Sequence, residues 1–432
     1  MIWNFFKKNS PTSSKSVRPI SPPAKSVIPL HFLQNLIPIG QLPATELKAL
    51  NGHLRQFNPG QVIFTRGESA DHLMYLYSGS VFLESANGHG YTTEADTFKA
   101  CYPLSNGIEH QLSAVAKTVT QIAYLPLSTL QTGSQASLIN NPLLNQQDIP
   151  ETLRDSELFQ GFSQAYRKDE LQVPSLPDVA LRLRAALQKD ISIADAVKIV
   201  NLDPVIASKL IQVVNSPLYM TALPISNSHD AINRLGLKIT QNLVTSISMS
   251  KLFRCSNKTL HHKVQQLWKQ SIHIASLSHT LASLTHKINP DEALLAGLTH
   301  NIGALPIITY AETLKKTPYD EEELEQTLQV LQGLVGEFIL QKWHFPETLQ
   351  HIPCNSSHWY FDDDPELQLN DIVLLARFHA HLGTPQAQHL PPLNTLPAYL
   401  KLGEYSLTPD MSLQALHDAK QQIAESLSFF RN

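Results

Sequence analysis

The histidine on which the chemistry of this chain turns is His300, in Ala296-Gly297-Leu298-Thr299-His300-Asn301-Ile302-Gly303-Ala304-Leu305. An imidazole is a ready ligand for a first-row metal, and a metal held with an open position turns bound water into a nucleophile at neutral pH. Such a centre needs three or four protein donors, and a neutral amide is a poor replacement for a carboxylate. The residue after His300 is Asn301. The chain holds 19 histidines, including His273, His279, His286 and His358, and none shows an H-x-x-x-H or H-E-x-x-H spacing that would place two on one helical face. There is no Gly-rich phosphate loop and no G-x-S-x-G elbow. Cys101, Cys255 and Cys354 lie far apart without a C-x-x-C, so free thiols in a reducing compartment are expected.

The elements that would position these groups fall into blocks. Residues 1–29 are rich in Ser, Pro and Lys and read as a disordered or extended tether. Leu30 to Leu54 carries apolar residues at helical spacing, with Pro43 opening a short helix. From Phe57 the pattern changes to short strands between glycines: Gln61 to Phe64, His72 to Tyr77 and Val81 to Glu84, then Gln121 to Pro126. Residues 136–172 read as a helical connector with Leu153, Leu158, Phe162 and Tyr166 on one face. From Val173 the chain is helical almost throughout. Ser192 is expected to cap one helix, and Asp203-Pro204 another, with proline in the first turn. Gly236 ends a third.

With 42% hydrophobic and 16% charged residues the chain is globular and long enough for two or three cores. A formal net charge of −4 with scattered Lys and Arg argues against a dedicated nucleic-acid surface. No apolar run approaches the length of a membrane span and the N-terminus lacks a secretion signal, so a cytoplasmic protein is expected.

Gly60, Gly67 and Gly79, with Gln121 to Pro126 as last strand, make residues 30–135 resemble the cyclic-nucleotide-binding β-roll. That family holds its ligand with a Gly-Glu pair and a Pro-Arg a few residues on. The stretch Phe98 to Ser113 has neither, and Gln111 stands about where the arginine would be. The resemblance therefore implies the fold of a sensor with cyclic-nucleotide binding lost. Lys99, His110 and Lys117 read as a solvated face, and Glu68 and Asp71 as turn residues.

Leu176-Pro177, Val179-Ala180, Asp203-Pro204, Lys209-Leu210, Asn215-Ser216, Pro224-Ile225-Ser226 and Ala231 to Gly236 resemble, in order and spacing, the HDOD domain over about residues 173–385. HDOD domains are all-helical bacterial signalling modules related to the HD phosphohydrolases. The resemblance implies that His300-Asn301 stands at the metal-binding His-Asp pair. By the same match Gln270 in Trp268-Lys269-Gln270-Ser271, Gln332 in Gln332-Gly333-Leu334-Val335-Gly336, and Asp371 occupy other ligand positions. Trp343-His344-Phe345-Pro346 precedes Ile352 to Asn355 where a His-His pair would be. Only His300 and Asp371 keep ligand types, so catalysis is expected to be lost and no metal or other cofactor is expected. Asn301 would then bond neighbouring backbone without a buried charge. Gly297 would allow close helix packing, and Gly303 would let the chain turn after its helix. The resemblance also marks Asn215 and Ser216 as a possible partner surface; by residue type they read equally well as a helix terminator.

The expected architecture is thus multidomain α+β: a β-roll with flanking helices, then an all-α HDOD bundle. Residues 386–432 form a C-terminal helical extension, helical at Tyr399 to Glu404 and Ser412 to Phe430 and packed on the bundle. The expected function is bacterial signal transduction through protein partners, with no nucleic acid and no membrane span. The alternative is a metal-dependent phosphohydrolase or cyclic-dinucleotide phosphodiesterase.

Overall fold

The computed structural model describes residues 28–129 (apart from 87 and 106–108), 151–314 (apart from 169, 172, 217–218, 220–223 and 254–257), 320–403 and 413–418. The tether at 1–27, the connector at 136–150, Cys255 and the helix expected beyond residue 418 lie outside the described residues. The chain divides into two compact units, one built mainly from the N-terminal 137 residues and one from residues 138–387.

In the first unit, α1 (Leu30–Gln34), α2 (Ala44–Ala49) and the segment between them lay Leu33, Leu36, Leu42 and Leu47 against Leu73, Tyr75, Ala123 and Leu125. The strands are β1 (His53–Phe57), β2 (Val62–Phe64), β3 (His72–Ser78), β4 (Ser80–Glu84), β5 (Gly90–Glu94), β6 (Ser113–Ala116) and β7 (Thr120–Pro126). They form two antiparallel sheets, ordered β1-β7-β3 and β2-β6-β4-β5. Leu73, Met74, Tyr75 and Leu76 of β3 are all buried. Leu73 and Tyr75 meet the helices; the two-residue period puts Met74 and Leu76 on the other face, which is covered as well. Gly60, Gly67 and Gly79 have φ of 82°, 81° and 90°, the left-handed conformation a side chain would strain.

Three strands are additions to the sequence reading. β1 falls where residues up to Leu54 read as helical, because a five-residue segment of mixed polarity takes its state from its partner: Leu54 pairs with Ala123 of β7. β5 and β6 are equally short and join the second sheet. His110, read as part of a solvated face, is in the core. It stacks on Phe64 with centroids 4.1 Å apart and its Nδ1 lies 2.7 Å from Ser105 Oγ.

Gln388–Leu400 belongs to this unit too. Tyr91 Oη donates to Asn394 Oδ1 at 3.0 Å, Phe98 meets His389 edge-on, and Leu393 and Leu396 are buried. The sequence reading carried 386–432 as one extension on the helical bundle; the structure divides it, placing Lys401–Gly403 and the short helix Gln414–Asp418 with the second unit.

The second unit is helical. α3 (Glu151–Arg154) and α4 (Glu157–Arg167) are followed by α5 (Asp178–Leu187), α6 (Ile193–Val200), α7 (Pro204–Val214), α8 (Ser228–Leu235) and α9 (Leu237–Met249). The caps fall where the sequence puts them. Ser192 Oγ accepts from Asp195 N at 3.2 Å; Asp203 Oδ1 accepts from Val205 N and Ile206 N at 3.0 and 3.2 Å. Gly236 ends α8 at φ 79°. Then come α10 (Lys258–Thr285), α11 (Pro290–Thr299), α12 (Ala304–Thr313), α13 (Glu321–Lys342), α14 (Glu347–Gln350), α15 (Ile352–Asn355) and α16 (Leu369–His381).

Two residues carry α11 against its neighbours. A Cβ on Gly297 would lie 2.5 Å from Ala275 Cα of α10, so the glycine permits the close helix packing the sequence suggests. Gly303 has φ −65°, which any residue adopts. Its role is close approach to α13, not the turn: a Cβ there would lie 2.0 Å from Gln332 O and 2.4 Å from Gly336 N. Pro290–Thr313 is long and apolar enough to cross a membrane by length and composition, contrary to the sequence expectation. It is two successive helices, α11 and α12, and 89% of its apolar window is buried inside the unit, as core helices require.

Candidate functional site

The C-terminal end of α11 opens on a cavity of about 390 Å³ in the second unit. Its wall takes Gln270 from α10, His300 and Asn301 from the α11 end, Gln332 from α13, and Arg377 and His381 from α16. Four of the five residues the sequence places at ligand positions are thus brought together by three different segments.

His300 is 6% exposed and its Nδ1 lies 2.7 Å from Gly297 O. A carbonyl only accepts, so Nδ1 carries the proton and Nε2 keeps its lone pair. Burial, with the Arg377 guanidinium as a second cause, pushes its pKa down to about 3, so the ring is neutral. Asn301 is 4% exposed; its Oδ1 lies 2.7 Å from Ser271 Oγ and its Nδ2 has no partner. The expected bond to neighbouring backbone is replaced by one to a side chain on α10. Ser271 Oγ is also 2.8 Å from Leu267 O, so its single proton is shared between two acceptors.

Arg377 donates to Ser356 O and lies 5.4 Å from the Trp359 ring centroid. Burial lowers its pKa to about 10, leaving it cationic. Lys263 at the rim pairs with Glu325, the one carboxylate in the lining. Ser356 is 1% exposed and its Oγ is unpartnered. Sequence reasoning missed Arg377. The available signal was a lone arginine in the apolar run Ile372 to Ala380, since buried arginines are rare unless engaged.

Asp371 is not in the wall. It sits in the first turn of α16, accepts from Gln368 N at 2.8 Å, and pairs with Lys401 at 3.3 Å. Burial raises its pKa to about 6, against the opposing backbone bond and Lys401. Lys401 also meets Asp362 at 2.9 Å. A carboxylate so engaged serves the helix end and the ion pair.

The other sequence motifs are structural. Trp343 Nε1 donates to Pro174 O at 3.0 Å, and Arg184 donates to Trp343 O at 3.0 Å while lying 3.6 Å over Phe345. These contacts tie the last turn of α5 and the segment before that helix to the end of α13. Asn215, possible partner surface by resemblance, spends its amide internally: Nδ2 donates to Ile211 O and Ile225 O at 3.0 and 2.6 Å, and Oδ1 accepts from Ile225 N at 2.7 Å. Ser216 is 5% exposed, so it is not a surface residue in this conformation. Asn215 itself is exposed, and its bonds serve the break after α7.

Among the described residues no group of three or more His, Cys, Asp or Glu side chains is placed to hold a metal ion. The donors actually gathered do not fit a resident divalent cation. The two imidazoles in the wall, His300 and His381, fall short of the three or four donors such a centre needs, the amides of Gln270, Asn301 and Gln332 carry no charge, and the Arg377 guanidinium would repel the ion.

A helical bundle with a histidine closing one helix over a multi-helix cavity is the architecture of an HD-related domain. Residues 173–357 match the HDOD domain, and this stretch of the chain is one. The region before it is structurally similar to cyclic-nucleotide-binding sensor domains. A crystal structure named "Putative metal-dependent phosphohydrolase", from Shewanella amazonensis SB2B, is 26% identical with a TM-score of 0.56, covering 64% of this chain and 98% of that one. The sensor domain of the transcriptional regulator DNR from Pseudomonas aeruginosa is 20% identical with a TM-score of 0.22, over 28% of this chain and 96% of that one. An uncharacterized protein of Treponema pallidum (strain Nichols) is 26% identical over 192 residues, 41% of this chain. The match spans 36% of that relative's length.

Proposed function

We propose that this protein is a cytoplasmic signal-transduction regulator whose HDOD region works by binding, without hydrolysis, and whose β-roll is a sensor-type domain that no longer takes cyclic nucleotides. The observation that supports the first part is the wall of the cavity. Where a hydrolase needs anionic and imidazole donors to hold a metal-activated hydroxide, this chain has neutral amides at Gln270, Asn301 and Gln332 and a guanidinium beside two neutral histidines, His300 and His381. A scaffold kept while its ligands change together is coherent with a module that passes a signal through protein partners. For the β-roll the support is Gln111, exposed and uncharged where an arginine would meet the cyclic phosphate. The net charge of −4 speaks against a nucleic-acid partner.

Metal analysis of the purified full chain, with phosphodiester hydrolysis assayed in added manganese or iron, tests the reading. No bound metal and no turnover are expected. Stoichiometric metal with turnover abolished by His300→Ala would sink it. The 26% identity to the Shewanella protein keeps a phosphohydrolase as the second reading, and the same assay decides between them. Calorimetry with cyclic AMP and cyclic GMP tests the β-roll; micromolar binding of either overturns that part.

A further inference from the structure

The cavity has a chemistry of its own once it is no longer considered as a metal site. Its lining has two cationic side chains and one carboxylate, and that carboxylate is held by Lys263. The formal charge left facing the cavity is therefore the Arg377 guanidinium. It has five N–H donors, and one of its NH₂ groups is engaged with Ser356 O. Two buried polar groups in the same wall have no partner, Asn301 Nδ2 and Ser356 Oγ. Leaving a buried donor unsatisfied is costly, so such groups in one cavity call for a ligand that satisfies them. Gln270 and Gln332 bring two further amides. A cation with convergent uncharged donors is the complement of an oxyanion: it neutralises the charge, and the fork of an arginine matches paired oxygens. The volume, about 390 Å³, falls within the roughly 300–1,000 Å³ of small-molecule sites.

We infer that this cavity is a metal-independent binding site for a small oxyanion, a phosphate or carboxylate group held by the Arg377 guanidinium, with the orphan donors of Asn301 and Ser356 in the same wall. The ligand also fixes the Asn301 amide. Turned the other way, that amide would donate to Ser271 Oγ and show its oxygen to the cavity; a bound oxyanion selects the orientation with nitrogen inward. The site would make the HDOD region responsive to an anionic metabolite, so the inference rests on the non-hydrolytic reading of the same cavity.

The test is calorimetric titration of the full chain with inorganic phosphate and, separately, with succinate, in EDTA and again with added manganese. Binding of either probe in EDTA is expected, and the probe that binds tells phosphate from carboxylate. Asn301→Asp should weaken it at least tenfold, because a carboxylate then faces the anion while still accepting from Ser271, so the fold is preserved. Arg377→Gln should abolish it. No binding of either probe in EDTA or in manganese overturns this inference alone. Binding that appears only with manganese overturns both this inference and the metal-free reading. Binding in EDTA that Asn301→Asp leaves unchanged overturns the assignment of the site.

Discussion

Ser271 and Asn301 meet at 2.7 Å between the middle of α10 and the end of α11, one hydroxyl against one amide, both buried. The bond joins two positions of the sequence motifs, Trp268-Lys269-Gln270-Ser271 and His300-Asn301. It holds the cavity wall by a side-chain contact and needs no metal. Ser271→Ala removes the only partner the Asn301 side chain has among the described residues, and an unsatisfied buried amide should cost about 1–3 kcal/mol of stability. A lower urea midpoint for the helical unit's transition would show it; an unchanged midpoint would mean that water or a rotated amide replaces the bond.

Gly303→Ala should be more disruptive than its size suggests. The added methyl would meet backbone atoms of α13, at 2.0 Å from Gln332 O and 2.4 Å from Gly336 N, and backbone cannot step aside as a flexible side chain can. Overpacking of this kind costs on the order of 1–3 kcal/mol. The melting temperature should fall clearly, whereas Gly383→Ala, where a Cβ meets nothing within 4 Å, should pay only the strain of φ 77°. Equal losses at the two sites would argue against close approach as the reason for Gly303.

The buried histidines should make the helical unit acid-sensitive. His300 has its pKa pushed down to about 3, and His279, His379 and His381 to about 4, in each case first by burial. An unfolded histidine takes its proton near pH 6.5, so between roughly pH 6.5 and 4 the unfolded state binds more protons. The stabilisation is full above that window and is lost as pH falls through it. Denaturation midpoints at pH 7.5, 6 and 5 should decline, and His300→Gln, which keeps a donor for Gly297 O, should decline less steeply.

Asp371 works in the opposite sense. Its pKa is raised to about 6, mainly by burial, while an unfolded aspartate titrates near 3.9. Between those values the folded state holds the extra proton, so this group favours folding at low pH and its contribution is lost as pH rises through 6. Asp371→Asn removes the titration and can still accept from Gln368 N. Relative to the wild type, the variant should gain stability as pH rises from 4 to 7; a constant difference across that range would show that Lys401 holds Asp371 ionised throughout.

What the sequence determined by itself is local or periodic. Left-handed glycines at 60, 67 and 79, caps at Ser192 and Asp203, and the helical stripes after Val173 are set within a few residues, where backbone sterics and hydrogen bonding act directly. The pairing of His300 with Asn301 is also visible there, as are Gln270 and Gln332, although they are up to 62 positions apart. Tertiary structure decided the rest. Strands β1, β5 and β6 are short and exist through their partners. Gly303 proves to be a packing residue, because only the fold brings α13 against it. Asp371, a ligand type by sequence, is taken up by Lys401, and Asn215, exposed as a surface candidate should be, also bonds the backbone of Ile225. Arg377 enters the site from a helix whose apolar sequence gave it no neighbour to answer to. The charge of a cavity is a sum over segments that meet only when the chain folds, so the sequence could say which donors were missing, and the structure alone could say what had replaced them.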